Sequence, residues 1–318
     1  MFAFTACSAM ATGRLIANRN LIGAAALALG VFGFSIQDAI LKSLSGVHAV
    51  TMAIVVRSIV GLPILLVMVH FECGLKRLLS PKAPILLLRG LILLVSYTTY
   101  YMAFPALPLA QAIALFFASP IFVTLLARTV LQEHVTPRAW MAVITGFAGV
   151  LIVLRPGSDL FEPAALLSLL SAASYALSMV LARKFGAEEP TTVMASYVNI
   201  VYLVAAAALA TGFNLAGLTS FGHPSLDFLV RPWSMPGSVD LLLMGLCGVI
   251  AAIAMSLLTH AYRVANANIV TVFEYTGLLW VPLWGYLLFA EVPGVTTVIG
   301  TAIIIAAGVF AVRSVKQP

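Results

Sequence analysis

The chain has 318 residues, of which 62% are hydrophobic and 9% charged, with a mean hydropathy of +1.09. A soluble domain carries about 25% charged residues, so this sequence cannot cover a water-facing surface. The net charge of +6 would raise nucleic-acid binding in a soluble chain, but the basic residues fall in short loops between apolar runs and act as topology signals instead.

Residues 1–20 place Arg14 and Arg19 after a weak apolar run. A secretory signal has the reverse order, and the segment is read as a cytoplasmic tail. From residue 21 the chain alternates apolar runs with short polar breaks. Since a span needs about 20 mainly apolar residues, the runs predict ten membrane helices over residues 21–41, 49–70, 84–104, 107–127, 138–154, 163–182, 192–212, 238–259, 267–288 and 295–312. With the N-terminus inside, thirteen of the 17 Lys and Arg residues lie on the inner side. Lys42, Arg155 and Arg231 lie outside, and Arg57 falls within a span. That bias orients both termini to the cytoplasm.

An internal echo divides the chain. Ala106–Glu133 (ALPLAQAIALFFASPIFVTLLARTVLQE) and Val264–Glu291 (VANANIVTVFEYTGLLWVPLWGYLLFAE) each run through one apolar helix to an acid 27 residues on. Each is followed by a helix with a Gly-Val pair, Gly149-Val150 and Gly308-Val309. Five spans per half is an odd number, so the second half enters from the opposite side. Such inverted repeats are a transporter device. The expected organisation is a tail at 1–20, a first repeat at 21–157, a second at 158–313 and a short cytoplasmic tail at 314–318.

Several features of the first copy resemble the EamA repeat of the drug/metabolite transporter superfamily. They are Pro108–Ala110, Pro120, Leu125–Arg128, Glu133, Trp140, Gly146–Val150 and Leu154–Gly157. The second copy is similar through Trp284, Gly285, Phe289, Glu291, Pro293, Gly300 and Gly308. The resemblance implies an all-α integral membrane fold of ten transmembrane helices, built as two inverted five-helix EamA-like repeats around a central cavity. It implies a carrier of small metabolites in a bacterial-type inner membrane, and the family's cargos range over amino acids, nucleosides, sugars, flavins and adenosylated compounds.

Ionisable residues inside hydrocarbon are costly and mark function. Asp38, Arg57 and Glu274 stand out, with Lys42 one turn from Asp38. One reading joins Asp38, Lys42 and Arg57 in a polar cluster that binds one end of a substrate; the other makes them a structural ion pair locking the first two helices. Tyr97, Tyr100, Tyr101 and Phe104 share one face of the third helix, and Phe273, Trp280 and Trp284 one face of the ninth. Such stripes serve equally as packing, and Trp284 and Tyr286 fit an interfacial belt. The polar run around Tyr97 (Ser96, Thr98 and Thr99) favours a cavity wall suited to a flat ligand. Gln111 adds a donor and acceptor at the start of the fourth helix. Pro120 and Pro282 occupy corresponding helices of the two repeats and are read as bending points.

No nucleotide-binding loop, metal motif or nucleophile–base arrangement is recognisable. A secondary carrier is therefore expected, with a passive facilitator of the same fold as the neighbouring reading and an intramembrane enzyme the weakest. No cofactor and no nucleic acid are expected; the partners are the bilayer, a small-molecule substrate and, as an allowed assembly, a homodimer. A planar heteroaromatic such as riboflavin is the first expectation for that substrate. An amino acid or S-adenosylmethionine-type metabolite is the rival, with Asp38 and Arg57 holding its zwitterionic end.

Overall fold

The computed structural model describes residues 2–130, 132, 137–155, 162–185, 189–264 and 276–314, with most of their side chains from residue 21 onward. The regular structure among them is helical. In chain order it comprises α1 (Phe2–Leu44), α2 (Val50–Glu72), a 3-10 turn (Leu75–Leu78), α3 (Ala83–Met102), α4 (Leu109–Phe116), α5 (Ser119–Val130) and α6 (Pro137–Leu154). The second half follows with α7 (Ala165–Phe185), α8 (Thr191–Leu215), α9 (Pro224–Val230), α10 (Ser238–Val264), α11 (Gly277–Phe289) and α12 (Val295–Ser314). Six stretches among the described residues are long and apolar enough to cross a membrane, beginning with Leu21–Leu44 and Val50–Glu72, and four more helices are apolar but shorter. Large side chains such as Leu29, Val67, Leu242 and Leu279 are exposed, as expected where lipid replaces water.

Two details depart from the sequence expectation. The run at 107–127 is not one helix: it is interrupted at Phe117 and Ala118, between α4 and α5. Pro120, in the first turn of α5, has no N–H to continue the ladder. The stretch between α8 and α10 also carries a short helix, α9, that no apolar periodicity announces. The start of the run at 267–288 lies outside the described residues. Pro63 and Pro282, by contrast, sit inside unbroken helices.

The helix contacts have an internal symmetry. α1 packs on α10 and α3 on α7, α2 also touches α10 and α3 touches α8, and α5 touches α7 as α1 touches α11. Exchanging the two halves (α1 with α7, α2 with α8, α3 with α10, α5 with α11, α6 with α12) turns each contact into its partner. It leaves α2·α8 and α6·α12 unchanged, the other two extensive contacts. The halves are therefore related by a two-fold exchange.

Two helix crossings are close enough to need glycine. A Cβ on Gly248 of α10 would overlap the Arg57 carbonyl oxygen of α2 and come within 3.1 Å of the Gly61 nitrogen. A Cβ on Gly149 of α6 would lie 2.9 Å from the Gly300 carbonyl oxygen of α12, and one on Gly300 would lie 2.7 Å from the Gly149 oxygen. Between apolar helices in lipid, such backbone proximity is where packing energy accumulates.

The two connections related by the exchange differ in build. Residues 73–82 contain only the 3-10 turn, held where the Tyr197 hydroxyl donates to the Leu78 carbonyl at 2.7 Å. Residues 216–237 are more than twice as long and fold back as α9 against α2 and α3, burying Phe228 and Val230. Arg231 donates to the carbonyls of Ser45 at 3.0 Å and His48 at 3.3 Å, and Trp233 donates to Thr51 Oγ1 at 3.0 Å. His48 bonds Asp240 at 2.7 Å. At the tip, the Phe221 N–H and Ser220 hydroxyl hold the Asp227 carboxyl below its ordinary range.

The α2–α10 crossing gives a first prediction. Gly248→Leu forces the helices apart and lowers thermal stability in detergent by about 1–3 kcal/mol, the usual overpacking cost. Gly212→Ala, on α8 where an added Cβ meets open space, leaves the melting temperature unchanged or raised.

Candidate functional site

Arg57, Gly61, Leu65, Met68 and Glu72 recur along α2 at intervals of three and four residues, which puts them on one helix face. The far half of this face opens into a cavity of about 180 Å³ between α2, α8 and α10. Leu65, Met68 and Glu72 meet Thr191, Thr192 and Ala195 of α8 there, with Met255, Ser256 and His260 of α10. The Thr192 hydroxyl donates to Glu72 at 2.7 Å. One turn below Leu65, about 6 Å along the axis, Gly61 is pressed against Gly248, with Asn199 Nδ2 3.1 Å from the position a Gly61 Cβ would take. This pinch separates the cavity from Arg57, one further turn along.

Arg57 lies over the Tyr97 ring, 4.5 Å from guanidinium carbon to centroid, and 5.8 Å from the Tyr202 ring. Its Nε and Nη1 are out of solvent reach and have no hydrogen-bond partner among the described residues. The same holds for the Tyr97 hydroxyl. Tyr97 packs on Tyr101 with centroids 4.4 Å apart and on Tyr202 at 5.2 Å. Tyr202 itself is fixed, its hydroxyl donating to the Leu93 carbonyl at 2.9 Å.

Asp38 sits across from this group on α1. Its carboxylate accepts from the Tyr101 hydroxyl at 2.7 Å and the Tyr100 hydroxyl at 3.0 Å, and Gln37 Nε2 donates to the Tyr101 oxygen at 2.9 Å. Hydrogen bonds to an ionised acceptor are the stronger kind, so both oxygens of Asp38 are engaged from α3. The expected single network of Asp38, Lys42 and Arg57 does not form. Lys42 pairs with Glu291 at 2.6 Å and donates to the Leu107 carbonyl at 2.8 Å, while Glu291 also accepts from the Leu109 N–H at 2.8 Å. One ion pair thus ties the end of α1 to the start of α4 and the end of α11, rather than α1 to α2.

The aromatic stripe of α3 divides in two. Tyr101 and Phe104 are core, 2% and 1% exposed, whereas Tyr97 and Tyr100 are half-buried. Tyr100 packs against Phe104 and Phe116. Ser96 is committed to α7, bonding the Ser171 carbonyl at 3.0 Å, and Thr99 bonds back to Val95 at 2.8 Å, so these hydroxyls do not face a ligand. On α11, Trp280 packs edge-on against Phe32 at 4.9 Å, and its Nε1 is buried with no partner among the described residues. Trp284 is not a belt residue: its Nε1 donates to Ser35 Oγ at 3.0 Å and fastens α11 to α1. Tyr286 remains exposed. Gln111 is half-buried in the first turn of α4. Phe273 and Glu274 lie outside the described residues.

Sequence reasoning passed over Tyr202, Gln37 and Phe32. Tyr202 follows Asn199 by three residues on α8, a polar pair at mid-helix that could have flagged it. Arg89, expected as an inner-side charge, is buried in α3, with its Nε donating to the Ser178 carbonyl of α7 at 3.4 Å.

Residues 21–155 and 162–313 each match the EamA-like transporter family model. A riboflavin transporter of Rhizobium johnstonii is 35% identical over 210 residues, covering 66% of this chain and 63% of that one. An S-adenosylmethionine uptake transporter of Rickettsia prowazekii is 27% identical over 230 residues, 72% of each chain. A pseudopaline exporter of Pseudomonas aeruginosa is 29% identical over 294 residues, 91% of this chain and 95% of that one. A solved crystal structure shares the fold with a TM-score of 0.61 at 18% identity, covering 90% of this chain and 96% of its own.

The Lys42–Glu291 pair gives a second prediction. Glu291→Gln leaves a largely buried ammonium without its counter-charge and lowers stability by about 2 kcal/mol or more. The double variant Lys42→Met with Glu291→Gln regains most of that loss in thermal unfolding, because no charge is then left unpaired. Equal losses in the single and double variants would show that the pair carries no coupling.

Proposed function

Because the chain belongs to the EamA-like transporter family, whose named relatives are carriers and not enzymes, we propose that it moves a planar heteroaromatic metabolite, riboflavin being the first candidate. The bundle is read as ten membrane crossings in two inverted halves, the four shorter apolar helices completing the six long ones. Seated in a bacterial-type inner membrane with both termini cytoplasmic, it places the 180 Å³ cavity on the inner face and α9 on the outer. Alternating access then exchanges the contacts on either side of the α2–α8 axis, which the two-fold arrangement leaves in place.

The observation that carries the substrate class is the guanidinium held over Tyr97 and Tyr202, with unpaired buried donors beside it. Tyr97, Tyr100 and Trp280 offer flat faces for stacking, and Arg57 a planar fork of donors. Gln111, at the start of α4, and Phe273 and Glu274, between α10 and α11, complete the proposed lining. A flavin ring matches such a wall, having one long aromatic face and an edge with two carbonyls. The match to a riboflavin transporter points the same way. An S-adenosylmethionine-type metabolite is the second reading, favoured by the match to an uptake transporter of that compound over 72% of both chains; its adenine would stack and its carboxylate would meet Arg57.

A thermal-shift screen of the purified protein against flavins, nucleosides, amino acids and adenosylated compounds, followed by uptake of the hits into proteoliposomes, decides between these. Riboflavin is expected to raise the melting temperature and to enter in a saturable way, weakened by Tyr97→Ala and Trp280→Ala. Stabilisation by amino acids alone, with both variants unaffected, would overturn the aromatic reading. Orientation is tested with Cys7 and Cys73 replaced by serine. A cysteine at the exposed Met235 reacts with an impermeant maleimide on intact cells, and one at the exposed Leu79 only after permeabilisation. The reverse pattern would invert the topology.

A further inference from the structure

Resting on the reading that the wall formed by Arg57, Tyr97 and Tyr202 holds the substrate, we infer that Arg57 is its specificity-determining residue. It reads a hydrogen-bond acceptor edge of the cargo, carboxylate or paired carbonyls, while Asp38 touches no cargo and acts only to position Tyr100 and Tyr101. Each Asp38 oxygen already accepts a tyrosine hydroxyl, at 2.7 and 3.0 Å, and Gln37 Nε2 donates to the Tyr101 oxygen at 2.9 Å. Asp38 is thus already employed in holding α1 to α3 and gains no first partner from a cargo. Arg57 is the opposite case. No ion pair joins it to a described carboxylate, and two of its nitrogens are buried without partners.

A guanidinium cannot lose its charge to relieve this. Stacking on Tyr97 and Tyr202 compensates only part of the desolvation. The hydroxyl of Tyr97, whose ring Arg57 covers, is a further donor without an acceptor among the described residues, while Gln37 Oε1 and Asn199 Oδ1 are buried acceptors without donors. Buried donors left unpaired in this way cost stability until an acceptor arrives. The site therefore selects for what it lacks. It favours an acceptor-bearing ring or acid that can pair Arg57, because a ligand whose only polar group is cationic leaves the guanidinium unpaired. The zwitterion reading that shared the cargo between Asp38 and Arg57 reduces to its acidic half.

The test uses the full chain in detergent or nanodiscs, with Arg57→Gln, Arg57→Lys and Asp38→Asn. The probes are riboflavin, read by quenching of its fluorescence, and S-adenosylmethionine beside its decarboxylated form. Without ligand, Arg57→Gln is expected to melt at or above the parent's temperature, since it removes an unpaired buried charge, and Asp38→Asn below it. For whichever probe the parent binds, Arg57→Gln weakens binding at least tenfold and Arg57→Lys by an intermediate factor. Asp38→Asn weakens it less than Arg57→Gln does. If S-adenosylmethionine is the bound probe, its decarboxylated form loses affinity on the parent and not on Arg57→Gln. That outcome would retire riboflavin and keep Arg57. If the parent binds neither probe, the substrate reading falls, and the ligand-free melting of Arg57→Gln still decides this one. Melting as low as Asp38→Asn makes Arg57 a structural residue and overturns the inference, as does unchanged binding of a probe by Arg57→Gln.

Discussion

The contact between Gly61 of α2 and Gly248 of α10 governs the rest of the molecule. A methyl group at Gly248 would collide with the Arg57 carbonyl, so the approach of the two helices and the setting of Arg57 are one fact. From the same turn of α2 the Arg57 side chain extends over Tyr97 and Tyr202. The same crossing closes the floor of the cavity above it. A feature that reads as helix packing therefore also lies between the cavity and the buried charge.

Around that crossing, polar groups do two kinds of work that composition alone does not separate. Some are consumed in fastening helices: Asp38 with Tyr100 and Tyr101, Lys42 with Glu291, Trp284 with Ser35, Ser96 with Ser171. Others, Arg57 and Tyr97 among them, are buried with capacity to spare. In hydrocarbon every polar group must find a partner or carry the cost of lacking one. The unfilled set is thus the more informative of the two; Arg57, Tyr97 and Asn199 bring part of it together on α2, α3 and α8, and Trp280 adds a member on α11.

Much of this could be read from the sequence, and the limits have physical causes. The helical runs are visible because a twenty-residue apolar stretch has few alternatives in a bilayer, and the repeat is visible because Glu133 and Glu291 close equal intervals. The break at Phe117 and Ala118 was hidden, since a proline inside an apolar run bends some helices, ends others and, as at Pro63 and Pro282, leaves others whole. The partner of Lys42 was hidden because spacing on one helix favours Asp38, whereas Glu291 is 249 residues further along the chain and reaches it only through the fold. Tyr101 and Tyr97, four residues apart on the same face, ended in different roles because α1 reaches only the first.

The folded connection that carries α9 has a consequence for the energetics of the cycle. A two-fold exchange of identical halves would make the two end states of a carrier equal in free energy, each the image of the other. Here one mouth is stoppered by a helix whose Phe228 and Val230 are buried and whose flanks are tied down by Arg231 and Trp233. The other mouth has a single 3-10 turn and an open groove. In the carrier cycle proposed above the degeneracy is broken by the chain itself, and the end state that keeps α9 packed is the favoured one. A passive carrier gains no direction from such a tilt, because the gradient alone sets net flux. What the tilt changes in that cycle is the apparent affinity at each face, because opening the α9 side costs the contacts of Phe228, Val230, Arg231 and Trp233.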